Sequence, residues 1–334
     1  MFIVNSYTIA VIFCFVTMLC WGSWGNTQKL AGKTWRYELF YWDYVIGILL
    51  FSIISAFTLG SFGSEGRSFL TDILQAEWGN MASAFCGGVV FNAANILLSA
   101  AISIAGMSVA FPVGVGLALV LGVLINYIGS SKGDPVFLFM GVGLVIIAII
   151  VNSVAYKKMS GDSGSKISSK GILLSLVAGL LMSIFYKFIA VSMDLENFAS
   201  PEVGKMTPYT AMFIFAIGIF ISNFVFNTIA MKKPVVGTAV SYREYFNGSF
   251  TIHLVGLLGG LIWGLGNAFN LIAAGKAGAA ISYGLGQGAT LVAALWGVFI
   301  WKEFKGAGRQ VNRLLLAMFI LFVCGLGMII GAGS

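Results

Sequence analysis

Long apolar runs separated by short polar stretches fill this chain from end to end. A bilayer core about 30 Å thick needs about 20 predominantly apolar residues per helix. Ten such runs can be laid out, at residues 6–27, 39–60, 80–103, 107–129, 135–156, 171–194, 208–231, 254–274, 277–301 and 313–333. Glycines inside these runs do not read as turns, because backbone polar groups in lipid have to stay bonded within the helix. They read as points of close helix approach. The predicted fold class is an all-α integral membrane protein with ten transmembrane helices.

Composition sharpens this picture. The 334 residues are 59% hydrophobic and only 9% charged, with a mean hydropathy of +0.95, whereas a soluble domain carries about 25% charged residues. Cys14, Cys20, Cys86 and Cys324 all lie inside apolar runs, as small hydrophobes rather than a disulfide framework. The first run exceeds the roughly 7–15 residues of a signal-peptide core, which predicts an uncleaved span.

Charge sets the orientation. The net +7 comes from short basic clusters between apolar runs and not from one polar face, so nucleic acid is not an expected partner. Fourteen Lys and Arg occupy one alternate set of loops: Lys29, Lys33 and Arg36; Lys157, Lys158, Lys166 and Lys170; Lys232, Lys233 and Arg243; Lys302, Lys305, Arg309 and Arg313. The other set holds Arg67, Lys132, Lys205 and Lys276, and Lys187 lies within a span. Basic loops favour the cytoplasm. The expectation is a multi-pass inner-membrane protein with both termini outside the cytoplasm and the acidic loops 61–80 and 195–207 external.

Sliding the chain against itself by 172 positions aligns Gly87-Gly88 with Gly259-Gly260, Asn95 with Asn267, Ala105-Gly106 with Ala277-Gly278, Gly114 with Gly286, Gly116 with Gly288, and Leu119-Val120 with Leu291-Val292. These belong to ten identities over 34 positions without a gap. Spans three and four then correspond to eight and nine, giving two five-helix repeats, residues 1–156 and 171–334, joined by a cytoplasmic linker at 157–170. An odd number of spans per repeat inverts one half relative to the other, the arrangement by which secondary transporters alternate access to a midplane site.

Polar side chains at bilayer depth are costly, so they face the bundle interior or a water-filled cavity and become site candidates. Asn92 and Asn95 share one helical face, as do Asn267 and Asn270. Amides donate and accept, which suits a neutral substrate bearing hydroxyl, carbonyl or N–H groups; interhelical bonding is the structural alternative. Trp263, one turn before Asn267, matches Phe91 before Asn95, either as a platform for a flat ring or sugar face or as core packing. In Trp21-Gly22-Ser23-Trp24-Gly25-Asn26, Trp21, Trp24 and Asn26 combine indoles and an amide with glycines that admit close approach. Lys187 either binds a substrate carbonyl or snorkels outward toward Asp194. Tyr283, Gln287 and Thr290 share a face of the ninth span, as a pocket wall or as packing. Asp43 is the acidic candidate for proton coupling, the alternative being an interfacial carboxylate paired with Arg36.

Catalysis finds no constellation. His253 is the single histidine, there is no Cys/His metal spacing, no Ser or Cys has an evident base, and no Gly-x-x-x-x-Gly-Lys-Ser/Thr occurs in the linker. No enzyme activity, metal or cofactor is expected. The expected partners are a small-molecule substrate, protons or another coupling ion, and membrane lipids.

Ten spans in two inverted fives resemble the drug/metabolite transporter superfamily. Gly22-Ser23-Trp24, Trp42-Asp43-Tyr44, Leu59-Gly60, Gly87-Gly88 with Asn95, and Asn126-Tyr127 resemble the ureide permease group and its relatives, the bacterial glucose and rhamnose uptake proteins. The likeness is clearest over residues 15–156. It implies an importer of small neutral polar molecules with a cavity between the halves. Plant ureide permeases also carry a long central segment with a nucleotide-binding-like motif; the short linker here lacks it, so no regulatory role follows. The combined expectation is a secondary-active, proton-coupled importer of a ureide- or nucleobase-like metabolite, with sugar uptake as the alternative. Export of lipophilic cations would call for a central carboxylate that the first span lacks, and a non-transporting receptor would leave the repeat unexplained.

Overall fold

The structure, a computed structural model, describes residues 1–32, 34–105, 107–129, 132–160 and 168–333. In chain order the helices are α1 (Tyr7–Ala31), α2 (Tyr37–Phe57), α3 (Phe69–Gln75), α4 (Trp78–Ala105), α5 (Met107–Gly129), α6 (Pro135–Ser160), α7 (Ser169–Ala190), α8 (Pro208–Lys232), α9 (Tyr242–Phe246), α10 (Phe250–Ala277), α11 (Ala279–Gly286), α12 (Ala289–Leu295) and α13 (Arg309–Gly331). A π-helical turn, Trp296–Ile300, continues α12. Among the described residues, nine helical stretches are long and apolar enough to cross a membrane: α1, α2, α4, α6, α7, α8, α10, the run Ala279–Ile300, and α13. The chain is a multi-pass membrane protein. Helix α5 stands where the fourth expected span does, and its shorter apolar stretch is Val113–Gly129.

Local chemistry places the helix ends. Ser6, Ser168 and Ser249 accept from backbone N–H groups at the starts of α1, α7 and α10. Asp134 accepts from the amides of Val136 and Phe137 at the start of α6, whose first residue is Pro135. Ser241 and Glu244 form a capping box on α9. Several expected boundaries shift. The sixth span ends at Ala190 rather than 194, because the chain turns there to pair Met206 N with Ser192 O. The ninth breaks at Gln287-Gly288 between α11 and α12. The expected linker shrinks, since α6 continues to Ser160 and α7 begins at Ser169; residues 161–167, like Lys33 and Gly106, lie outside the described residues.

Glycine governs the tightest crossings. A Cβ on Gly260 of α10 would stand 2.0 Å from the Tyr44 carbonyl oxygen of α2, and one on Gly88 of α4 would stand 2.1 Å from the Phe215 carbonyl oxygen of α8. The helix pairings follow the same pattern: α1 packs on α10 and α7 on α4; α2 packs on α10 and α8 on α4; α1 packs on α11 and α12, and α7 on α5. Helices α6 and α13 pair with each other. Lipid-type side chains such as Leu19, Phe224, Ile229, Leu316 and Val323 point outward, while the amides of Asn92, Asn95, Asn223, Asn267 and Asn270 are buried. This is the inverse of a soluble protein's pattern.

Both chain ends lie on one face, here called the terminal face, where Met1 N meets Glu65 O at 2.5 Å and Asp134 N meets Ala332 O at 2.7 Å. Loops close that face. Arg67 pairs with Asp72 at 2.9 Å and donates to the carbonyls of Pro201 and Lys205, while Asp72 accepts from Thr207 N at 2.8 Å. The opposite, basic face carries the loops rich in Lys and Arg.

Candidate functional site

Helices α1, α4, α5, α7, α10 and α12 converge on a central pocket of about 30 Å³. It is lined by Trp21, Trp24, Phe91, Asn95, Phe111, Phe185, Trp263 and Gln287, with Leu98, Val115, Met182 and Ala289 between them. No ionisable side chain is among them. The rings of Trp21 and Trp263 stack with centroids 6.0 Å apart and planes 10° apart, and Phe91 lies 4.3 Å from Trp263. The Trp21 indole N–H is buried and has no hydrogen-bond partner among the described residues. Asn95 donates to the Tyr41 hydroxyl at 3.3 Å; Tyr41 in turn donates to Asn92 Oδ1 at 3.1 Å, and Asn92 donates to Ser222 at 2.9 Å. The amide of Asn95 is thereby held in one orientation at the pocket wall.

Five of the residues nominated from sequence therefore meet here: Trp21, Trp24, Asn95, Trp263 and Gln287. The others lie elsewhere. Asn92 serves the Tyr41 and Ser222 network. Asn267 donates to Met212 Sδ at 3.0 Å, the counterpart of Asn95 donating to Tyr41. Asn270 donates to Ser282 O at 2.8 Å, and the Tyr283 hydroxyl donates to Met182 O at 3.0 Å. Lys187 occupies the last turn of α7 and lines a separate cavity of about 330 Å³ on the terminal face, with Asp194, Glu202 and Lys205.

Between the central pocket and the basic face lies an inner pocket of about 30 Å³, sharing Phe111 with the central one. Asn26, Asn152, Thr290, Trp301, Tyr156, Lys29 and Glu303 are on its wall. Asn26 accepts from the Trp301 indole at 2.7 Å; Lys29 pairs with Glu303 at 2.7 Å and lies 4.2 Å from the Trp301 ring centre. The Tyr156 hydroxyl donates to Glu303. Beyond this pair opens a basic-face vestibule of about 740 Å³, lined by Gln28, Lys29, Trp35, Arg36, Glu38 and Glu303. Volumes of about 30 Å³ hold one or two water molecules, so the central pocket is shut around its aromatic walls.

Asp43 lines none of these cavities. Its carboxylate is buried and accepts from Tyr245 at 2.6 Å, with His253 Nδ1 2.9 Å from both oxygens. Burial and the neighbouring Asp43 carboxylate both hold the Tyr245 hydroxyl well above the usual phenol range, so it stays a donor. The Arg36 partner considered from sequence pairs instead with Glu38, at 2.6 Å, because Arg36 stands at the start of α2, about two turns away from Asp43. Sequence reasoning missed Glu303, Lys29, Tyr156 and Tyr41. Glu303 and Lys29 read as ordinary loop charges, and only the fold brings residues 274 positions apart into contact.

A family profile for ureide permeases matches residues 40–171 and 168–332. Ureide permease 2 of Arabidopsis thaliana is 25% identical, covering all of this chain and 99% of its own length. Ureide permease 5 of the same plant is also 25% identical, over the whole of this chain and 96% of its own. A probable glucose uptake protein, GlcU, of Staphylococcus aureus is 24% identical over 71% of this chain and 72% of its own. One crystal structure of a protein superposes with a TM-score of 0.58 at 14% identity, over 97% of this chain and 96% of that one, a likeness of fold.

Proposed function

The chain belongs to the ureide permease family, and from this premise we propose that it is a secondary transporter that imports small, neutral, polar metabolites of ureide or nucleobase type. One observation carries the reading: among the described residues, the central pocket offers indole faces and the amides of Asn95 and Gln287, with no ionisable side chain. A charged substrate would lose its hydration there without a counter-charge. A flat ring with carbonyl and N–H groups would stack on the indoles, accept from the Trp21 N–H, and exchange hydrogen bonds with Asn95 and Gln287. Sugar uptake is the second reading, favoured by the likeness to glucose uptake proteins; amides and aromatic faces also suit hydroxyl-rich rings. The relatives are named permeases and uptake proteins, so the proposal is transport without catalysis.

Transport is by alternating access between two inverted five-helix halves, residues 1–156 and 171–334, with α5 as the tenth span. The paired packing of α1 on α10 with α7 on α4, and of α2 on α10 with α8 on α4, supports this symmetry, as do the glycine contacts at Gly260 and Gly88. The excess of Lys and Arg in the loops of the basic face supports a cytoplasmic vestibule, with the terminal face on the outer side of the inner membrane. A proton gradient is the proposed driving force. Asp43 is one candidate to carry the proton, and loss of accumulation with intact counterflow in Asp43→Asn is the result that would assign it. The whole reading is tested by uptake of radiolabelled allantoin, uracil and glucose into proteoliposomes: allantoin or uracil uptake supports it, glucose alone moves it to the sugar reading, and uptake of none overturns it.

A further inference from the structure

Among the described residues, Glu303 is the one carboxylate common to the inner pocket and the basic-face vestibule. Resting on the transport reading above, we propose that Glu303 is the binding site of the coupling proton, and that its ion pair with Lys29 is the gate between vestibule and substrate pocket. Three observations converge on it. First, the titratable groups bonded to the carboxylate come from different elements: the Lys29 ammonium from α1 at 2.7 Å and the neutral Tyr156 hydroxyl from α6; Lys302 and Lys305 are near it in sequence. Across the vestibule, Arg36 and Glu38 are already paired with each other. Second, the inner pocket has the size of one or two waters and contains a buried acceptor, Asn152 Oδ1, with no partner among the described residues. A chain of water from the substrate pocket's edge at Phe111 to Glu303 fits that space and that orphan. Third, the segment carrying Glu303 is built to change shape, since it follows the π-helical turn Trp296–Ile300 and Lys302 has a φ of +52°, the left-handed region that non-glycine residues rarely adopt.

The cycle balances as follows. With substrate in the central pocket and that pocket open to the outside, a proton from the outer medium passes along the inner-pocket waters to Glu303, which becomes a neutral carboxyl. Its attraction for Lys29 is then lost while Lys29 keeps its charge, so α1 separates from the 296–305 segment and the path to the vestibule opens. Substrate leaves, the Glu303 proton passes to vestibule water, and the restored carboxylate draws Lys29 back. In the proposed cycle the closed pair corresponds to the carboxylate form. Lys29 and Glu303 are partly exposed, at 41% and 29%, and a partly exposed ion pair is weak enough to be remade every turnover.

The test uses the full-length chain in proteoliposomes with radiolabelled allantoin, uracil and glucose, an imposed pH difference, and a trapped pH-sensitive dye. One proton per cycle predicts accumulation approaching about tenfold per unit of pH difference, since one pH unit and a tenfold concentration ratio are the same free energy. Glu303→Gln is expected to abolish both accumulation and substrate-evoked proton entry while counterflow exchange continues. Lys29→Met is the second variant, readable even if Glu303→Gln does not fold. With no ion pair to close the gate, proton entry under the imposed pH difference should continue without substrate, and accumulation should collapse. Glu303→Gln with wild-type accumulation, or proton entry that still requires substrate in Lys29→Met, overturns the proposal while leaving transport intact. Loss of coupling in Asp43→Asn alone gives the role to Asp43, and no uptake of any probe by the wild type overturns the transport reading itself.

Discussion

At the scale of single residues, burial alone does not separate a binding amide from a structural one. Asn95, Asn267, Asn270 and Gln287 are all buried, and all four were nominated from sequence for the same reason: amides are costly in lipid. What distinguishes them is where each side chain is engaged. Gln287 faces the central pocket, whereas Asn270 spends its N–H on the Ser282 carbonyl. Gln287→Leu, which keeps the volume and removes the polarity, should weaken binding of the transported probe by about tenfold, the upper range for one net hydrogen bond, with little change in the thermal midpoint. Asn270→Leu should do the reverse, lowering stability by about 1 kcal/mol without a selective loss of affinity. Ligand-dependent thermal shifts of the two purified variants measure both quantities at once. Equal losses in both would return Gln287 to packing. The alignment at offset 172 had matched Asn95 with Asn267, and the structure adds the reason they diverge. Asn95 bonds a tyrosine hydroxyl beside the pocket; Asn267 faces a methionine sulfur, with its own oxygen unpartnered among the described residues.

At the scale of elements, apolar run length made the long helices legible, and glycine spacing marked where they cross. Less legible were the features that depend on non-local contact. The short helix α3 sits in a loop that reads as merely acidic, yet Asp72 and Gln75 on it hold the 201–207 segment of the other half. Similarly, α9 is five residues long and has no apolar signature, but its Tyr245 reaches Asp43 across 202 positions. The crossings give a direct stability prediction. Gly260→Ala would drive a Cβ into the Tyr44 carbonyl and the Gly47 backbone, and overpacking against backbone costs about 1–3 kcal/mol. Gly143→Ala on α6 meets nothing within 4 Å and should be neutral or slightly stabilising, as expected for replacing glycine in a helix. Thermal unfolding in detergent distinguishes them, and equal midpoints would mean that α2 and α10 can separate freely.

At the scale of the whole molecule, the decisive asymmetry is that the two faces are closed by different means. The terminal face is sealed by backbone-rich contacts around Arg67, Asp72 and Lys205, many partners that would have to be released together. The basic face opens as a vestibule of about 740 Å³ and is parted from the substrate pocket by side chains: Lys29, Glu303 and Trp301. Under the proposed alternating access, two halves that rock about a central site cannot open both ends together without becoming a channel, so accessibility at the two ends should be reciprocal. Ser103, at the vestibule, and Ala279, at the terminal-face cavity beside Lys187, report on the two ends. Each would be changed to cysteine in a background where Cys86 and Cys324, both exposed, are replaced by serine. In this closed-terminal state Ser103→Cys should label readily with a water-soluble maleimide, and Ala279→Cys, which is buried, slowly. Adding the transported probe shifts the population only as far as it prefers one state, and it should move the two labelling rates in opposite directions. Rates that rise or fall together would mean that the substrate loosens or tightens the bundle as one body, which two alternating halves cannot do.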